Sequence, residues 1–159
     1  VIGVIAALPA EARTVSARSS AGARRVLVSG VGAVAAARAA ATLRTAGVTG
    51  FVSWGTAAGL IDDVAPGTIV IATGVTADRG MARRSRDAGE WADRLAAVLG
   101  AGVASSAGAD APLVRRGLIA DPAGVLRTPE EKRRLAAATG AVIADMETAA
   151  IADAATAAG

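Results

Sequence analysis

Phe51 to Ala72 reads FVSWGTAAGLIDDVAPGTIVIA: an apolar strand, a Gly-Thr-Ala-Ala-Gly turn, and a second apolar strand over Thr68 to Thr73. Small residues crowd the bend, where a large side chain would keep a ligand away from the backbone amides. By itself this turn has two readings, a binding site or a tight connection in which Gly55, Ala58 and Gly59 let two strands pass closely. Two other stretches favour a site. ALPAE at Ala7 to Glu11 and ADMETAA at Ala144 to Ala150 each put a carboxylate just beyond an apolar strand, where open α/β sheets gather their chemistry.

Working outward, Val1 to Ala7 is a near-continuous apolar run, as expected of a central strand covered on both faces. Pro9 then marks a helix start, with Glu11 in the first turn where the helix dipole favours an anion. Arg24 to Ser29 is the next strand, and Ala33 to Ala46 is an Ala-rich helix stopped at Gly47. Glu90 to Leu99 has helical spacing through Trp91, Leu95, Val98 and Leu99, with Trp91 expected in the core or at a subunit interface. The polar stretch from Gly74 to Gly89 reads as an exposed loop.

Val114 to Ala120 is a further strand. Thr128-Pro129-Glu130-Glu131 is a capping box with Pro at the first helical position, opening a helix that runs to Thr139 and stops at Gly140. Ala141 to Ala144 is the last strand and an Ala-rich helix comes after Asp145-Met146-Glu147. Strands alternating with helices through short joins imply an α/β fold, a single domain over residues 1–159 without internal repeats.

Composition bounds the chemistry. A chain of 159 residues with 53% apolar residues can bury a sizeable core. The net charge of +3 comes from scattered Arg, without a basic stripe interleaved with aromatics, so no nucleic-acid partner is expected. The chain has no Cys and no His, which removes disulfides, thiolate nucleophiles, His-based triads and His or Cys zinc sites. No metal is expected. VIGVIAAL lacks the architecture of a signal peptide and no apolar run reaches bilayer length, so the expectation is a soluble, cytoplasmic protein without a membrane partner.

Ser29-Gly30-Val31-Gly32 together with the Ala33 helix also spells GxGxxA, the beginning of a dinucleotide fingerprint. Such a site needs an acidic residue about twenty positions on, at the end of the next strand. Here that strand ends in Ser53-Trp54-Gly55, which counts against a nicotinamide cofactor.

ALPAE, then GTAAGL with its PGTIVIA strand, then ADMETAAIA stand in a fixed order, each at a strand end. Together with SGVGAVAAARAAATL they resemble the purine nucleoside phosphorylase and nucleosidase superfamily, especially the methylthioadenosine/S-adenosylhomocysteine nucleosidases and the hopanoid-associated phosphorylases. The resemblance spans nearly the whole chain. It implies a three-layer αβα fold around a central mixed, largely parallel sheet, and cleavage of the N-glycosidic bond of a purine-type nucleoside through a ribosyl cation-like transition state.

By the same resemblance, Glu11 matches the glutamate that activates the attacking water, and Glu147 the glutamate that grips the ribose hydroxyls. Met146 matches the methionine against the ribose face. Thr56, with Ala57 beside it, stands where the family holds the nucleophile, and Asp145 either joins the site or caps the helix. Nucleosidases usually stack a Phe on adenine after RGLIA; this chain has Val125 and Leu126 there as apolar walls without π-stacking, which leaves the base open. Phosphorylases place Arg residues near the turn and after the first strand, where this chain has Ser53 and a carboxylate, with Arg13 the nearest substitute. Hydrolysis is therefore expected ahead of phosphorolysis, with no cofactor but phosphate as an alternative co-substrate. Relatives suggest a homodimer.

The resemblance also implies one more strand after the last helix, its tip carrying an Asp that protonates the departing base. This sequence runs from Val1 to Gly159, so the expectation is a fragment of a longer protein, incomplete at the C-terminus, with an open sheet edge and without its general acid. Loss of such a group lowers rates by about 10²–10⁴-fold.

Overall fold

A computed structural model describes residues 1–16, 24–77, 82–83, 88–105 and 113–157. In chain order the elements are β1 (Ile2–Ala6), α1 (Pro9–Ser16), β2 (Arg24–Val28), α2 (Ala33–Thr45), β3 (Gly50–Ser53), β4 (Ala58–Gly59), β5 (Ile69–Ala77), β6 (Ala82–Arg83), α3 (Ala88–Ser105), β7 (Val114–Asp121), α4 (Pro129–Thr139), β8 (Ile143–Ala144) and α5 (Thr148–Thr156). The α/β alternation expected from the sequence is present. Two compact units emerge, one of Val1–Ala57 with Asp145–Gly159 and one of Ala58–Ala144. The chain passes from the first to the second inside the Gly-Thr-Ala-Ala-Gly turn.

The first unit is a parallel three-stranded sheet in the order β2-β1-β3, with Ile5 of the central strand opposite Leu27 and Ser53. Val4, Ile5 and Ala6 are buried, which accounts for the continuous apolar run of β1. Helices α2 and α5 share one core with β1, formed by Ile5, Ala36, Ala39, Ala40, Leu43, Val48 and Ile151.

The buried positions of α2, Ala36, Ala39, Ala40 and Leu43, obey the i, i+3, i+4, i+7 pattern, and three of the four being Ala lets neighbours approach closely. At Gly3 the fit is tight: a β-carbon there would stand 2.9 Å from both Leu43 and Val48 side chains. Helix α2 ends in a complete Schellman motif. Gly47, at φ 82°, donates to the Arg44 carbonyl at 2.9 Å, and Val48 donates to the Leu43 carbonyl at 3.1 Å. Val48 then packs with Leu43 in the core, so the helix stop and the start of β3 are set together.

The second unit is a mixed sheet in the order β4-β8-β7-β5-β6, parallel between β8, β7 and β5 and antiparallel at both ends. Leu60, Ala120, Leu135, Ala141 and Ala144 form a core beneath α4. Helix α4 begins with the expected capping box: Thr128 Oγ1 accepts from the Glu131 amide at 3.2 Å, and Glu131 Oε2 accepts from the Thr128 amide at 3.1 Å. It ends at Gly140 in the left-handed conformation, φ 69°.

One expectation needs correction here and another is narrowed. The expected Gly74–Gly89 loop instead carries the end of β5, because β5 continues to Ala77 and stays paired to β7 as far as Asp121. A bulge between Ala72 and Gly74 absorbs one extra residue and restores the register, leaving Val75 and Thr76 buried. Arg83 pairs with Val75 in the short β6; positions 78–81 and 84–87 of that stretch lie outside the described residues. Of the two places expected for Trp91, core and subunit interface, the core is excluded, since Trp91 is 50% exposed while its neighbour Ala92 is buried. The small residue faces the sheet because α3 packs closely on β5.

Among the described residues no helix is long and apolar enough to cross a membrane.

Candidate active site

The C-terminal ends of the parallel strands β1 and β3 bring the chemistry of the first unit together. Glu11 is the third residue of α1, two residues after the helix-starting Pro9. Its Oε2 accepts from the Leu8 amide at 2.9 Å, which is half of a capping box and holds the carboxylate over the helix start. Its Oε1 accepts from both the Thr56 amide and the Thr56 hydroxyl, each at 2.8 Å. Three donors thus converge on a carboxylate that is only 7% exposed.

Oε2 therefore serves the helix start as an anion, and Oε1 ties α1 to the turn after β3. A carboxylate offers about four acceptor positions; Thr56 fills two of them, the Leu8 amide a third, and the Ala7 amide also favours the charged form. The absence of a side chain at Gly55 makes this possible, since a β-carbon there would stand 3.0 Å from Oε1 and from the carboxyl carbon of Glu11.

Glu147 lies just before α5 and is half-buried. Its Oε1 accepts from the Gly32 amide, across 115 positions of sequence. Gly32 sits at φ 99° in the β2–α2 turn, so the glycine that resembled a dinucleotide fingerprint directs its amide to a carboxylate of this chain. Asp145 plays the capping role: its Oδ1 accepts from the Glu147 amide at 2.8 Å and the Thr148 amide at 2.6 Å. Thr148 is also tied to the tip of β3, its hydroxyl 3.0 Å from the Ser53 hydroxyl. Among the described residues no buried side-chain polar atom lacks a hydrogen-bond partner.

The electrostatics separate the two glutamates. Burial pushes Glu11 up, but the bonds from the Thr56 amide and hydroxyl and from the Leu8 and Ala7 amides outweigh it, and its pKa falls below the ordinary value. Burial also pushes Glu147 up, and there it prevails: the Gly32 and Met146 amides oppose it, while the charges of Asp145 and Glu11 reinforce it. The charge of Glu11 is the smallest of the causes acting on Glu147, so the two carboxylates differ chiefly through burial and their own hydrogen-bond donors.

Of the residues expected from the sequence, Glu11 and Thr56 are hydrogen-bonded to each other, and Glu147 lies in the same unit, bonded to Gly32. Met146 is half-buried next to Glu147, and Ala57 is exposed beside Thr56 at the end of the first unit. Val125 and Leu126 belong to the second unit, where Val125 is 67% exposed and Leu126 packs against the core around Leu60 and Leu135. Arg13 is exposed. Sequence reasoning missed Gly32 as a partner of Glu147 and Thr148 as a partner of Ser53. The only signal for Gly32 was the glycine turn itself, and Thr148 carried none.

The solved structures that resemble this chain share its α/β fold. The methylthioadenosine/S-adenosylhomocysteine nucleosidase of Colwellia psychrerythraea 34H, solved with adenine, is 23% identical with a TM-score of 0.76, over 98% of this chain and 76% of that one. The S-adenosylhomocysteine nucleosidase of Streptococcus pyogenes, solved with 5-methylthiotubericidin, is 21% identical with a TM-score of 0.72, over 99% and 78%. Futalosine hydrolase of Helicobacter pylori strain 26695 is 16% identical with a TM-score of 0.74, over 98% and 78%. At these identities the likeness is one of fold. No curated protein matches the sequence significantly. Residues 8–159 match the phosphorylase superfamily, and the chain belongs to it.

Proposed function

We propose that this chain cleaves the N-glycosidic bond of a purine-type nucleoside, with water as the nucleophile. The observation that carries the proposal is the double bond from Thr56 to Glu11, which fixes an ionised carboxylate at the rim of the sheet within the electrostatic reach of Glu147.

Glu11 is the base. A water held against this carboxylate forms the new bond to the anomeric carbon through its oxygen while its proton passes to the carboxylate. The C–N bond breaks with its electron pair leaving on the base, which takes its proton from solvent water. Positive charge on the sugar develops between two carboxylates, and their negative field favours it. Glu147, held by Gly32 through one oxygen, accepts from ribose hydroxyls and fixes the orientation of the sugar. Met146 supplies an apolar surface next to it.

The nucleosidases and the futalosine hydrolase that share the fold are named for hydrolytic reactions, which supports water over phosphate. The reading treats residues 1–159 as one phosphorylase-like domain, with a small nucleoside as its partner, a homodimer as its assembly and the cytoplasm as its compartment. It assigns no cofactor.

The test is base release from a panel of purine nucleosides, monitored by chromatography with and without phosphate. Release that needs no phosphate, and that drops about 10²–10⁴-fold in Glu11→Gln, is the expected result. Nucleoside binding without release would overturn the enzymatic reading, and strict dependence on phosphate would replace hydrolysis with phosphorolysis. Size-exclusion chromatography tests the dimer.

A further inference from the structure

We propose that Trp54 is a positioning residue for Glu11, acting through Thr14. The indole Nε1 of Trp54 donates to Thr14 Oγ1 at 2.8 Å, and the same hydroxyl donates to the Glu11 carbonyl at 2.7 Å. One hydroxyl therefore receives from the tip of β3 and gives to the residue whose side chain occupies the site. The Trp54 backbone is itself anchored, its amide donating to the Ile5 carbonyl of β1 at 2.9 Å. A continuous chain of hydrogen bonds runs from the central strand through Trp54 and Thr14 to Glu11.

The geometry of α1 makes such a tether necessary. It has only eight residues, too few for a helix to hold itself in water. Pro9, Ala10, Arg13 and Thr14 are exposed, while Glu11 and Ala12 are buried, so α1 has little apolar surface with which to fix its axis. Its first turn is held through the Glu11 carboxylate, by Leu8 and Thr56. Packing of α1 on β1 and β2 rests on small residues around Ala12, which leaves the rotation of the helix about its axis weakly fixed. The Thr14 bond supplies a second point one turn further along.

Packing does not account for Trp54. The side chain is 39% exposed and belongs to no core cluster, so a large aromatic residue is kept at a strand tip where its one polar atom has a specific acceptor. A buried Trp would be read as core, whereas an exposed one with an oriented N–H is read by that bond. Because three hydrogen bonds of 2.8–2.9 Å meet on Glu11, a small rotation of α1 loosens them together. Misplacement of a reacting group by about 1 Å lowers rates by about 10²-fold.

The inference rests on Glu11 being the base, but its first readout does not require turnover. The side-chain carboxyl of Glu11 is titrated by carbon NMR in the unmodified chain and in Trp54→Phe, which keeps an aromatic ring and removes the donor. Thr14→Val removes both roles of the hydroxyl, and Thr14→Ser restores them. Glu147, the charged neighbour of Glu11, is untouched in all three. The expected result is a Glu11 titration displaced toward the ordinary carboxylate value in Trp54→Phe and Thr14→Val, no further displaced in the double variant, and back in place in Thr14→Ser.

In turnover, kcat falls about 10- to 100-fold in the first two with KM unchanged. A Trp54→Phe chain that titrates and turns over like the unmodified one would overturn the tether, as would effects of Trp54→Phe and Thr14→Val that multiply independently. If the titration moves as described but no nucleoside is cleaved by the unmodified chain, the tether stands and the assignment of the reaction fails.

Discussion

Replacing Glu11 with Gln tests the site most sharply, because the substitution keeps shape and volume and changes only the hydrogen-bonding capacity and the charge. The Gln oxygen can still accept from the amide and hydroxyl of Thr56, both of which now meet one atom of the native carboxylate. The other end becomes an NH₂ facing the Leu8 amide, donor against donor. That amide loses its partner at a cost of about 1–3 kcal/mol, and the two Thr56 bonds fall from charge-assisted to neutral strength, each losing about 1 kcal/mol. Removing a charge from a buried position returns part of this, so the net destabilisation is about 2 kcal/mol.

The pH dependence carries the diagnostic sign. A carboxyl whose folded pKa lies below its unfolded value contributes stability that is fully present above the unfolded pKa and is lost as pH falls through the folded one. The native chain should therefore lose stability through the acid range while Glu11→Gln, lacking that group, loses less. Urea unfolding of both proteins, monitored by the fluorescence of Trp54 with Trp91 replaced by Phe, reads the gap in the first unit. It should be widest at neutral pH and close below the folded pKa of Glu11. A gap that is constant with pH, or a Gln variant as stable as the native chain at neutral pH, would refute the claim that three donors hold this carboxylate ionised.

Glu147→Gln should do the opposite to stability. Its folded pKa is raised, so the native group favours folding most below its unfolded pKa and this is lost as pH rises through the folded value; at neutral pH the Gln variant, which can still accept from Gly32, should melt higher while base release drops. Thermal melts at neutral and acid pH check the sign. Gly55→Ala places a methyl group 3.0 Å from the Glu11 carboxylate and should lower kcat/KM by about 10-fold or more through displacement of that group, read against unchanged far-ultraviolet circular dichroism. In the second unit, Thr128→Ala removes half of the α4 capping box and should cost about 1 kcal/mol in urea unfolding. Gly117→Ala drives a methyl group into the Val142 side chain and should cost about 1–3 kcal/mol in the same assay.

The helices α2 and α4 were legible in sequence down to their ends, because their stops and starts are local chemistry: Gly47 and Gly140 supply the left-handed residue, and Thr128 and Glu131 cap one another over three positions. Glu11 and Thr56 were legible as neighbours because each comes just after a strand of the parallel β1–β3 pair, whose C-terminal ends lie side by side. The length of β5 was not legible. A Thr and a Gly at positions 73 and 74 look like a strand end, and only pairing with β7 across a bulge carries the strand to Ala77. On α3 the hydrophobic size of Trp91 left core and subunit interface both open, and packing on β5 selects Ala92 for the sheet side.

Sequence by itself determined which carboxylates stand at the strand ends. The bonding partners of each carboxylate came only with the tertiary structure. The Gly32 amide reaches Glu147 across 115 positions, Thr56 reaches Glu11 across 45, and Trp54 reaches Thr14 across 40. Hydrogen bonds of this kind depend on angstrom-scale placement of whole strands and helices, and no periodicity or local motif encodes that placement. They are also what drives the pKa of one glutamate down and leaves the other raised. The same residue type thereby acquires two different chemical characters within a single small unit.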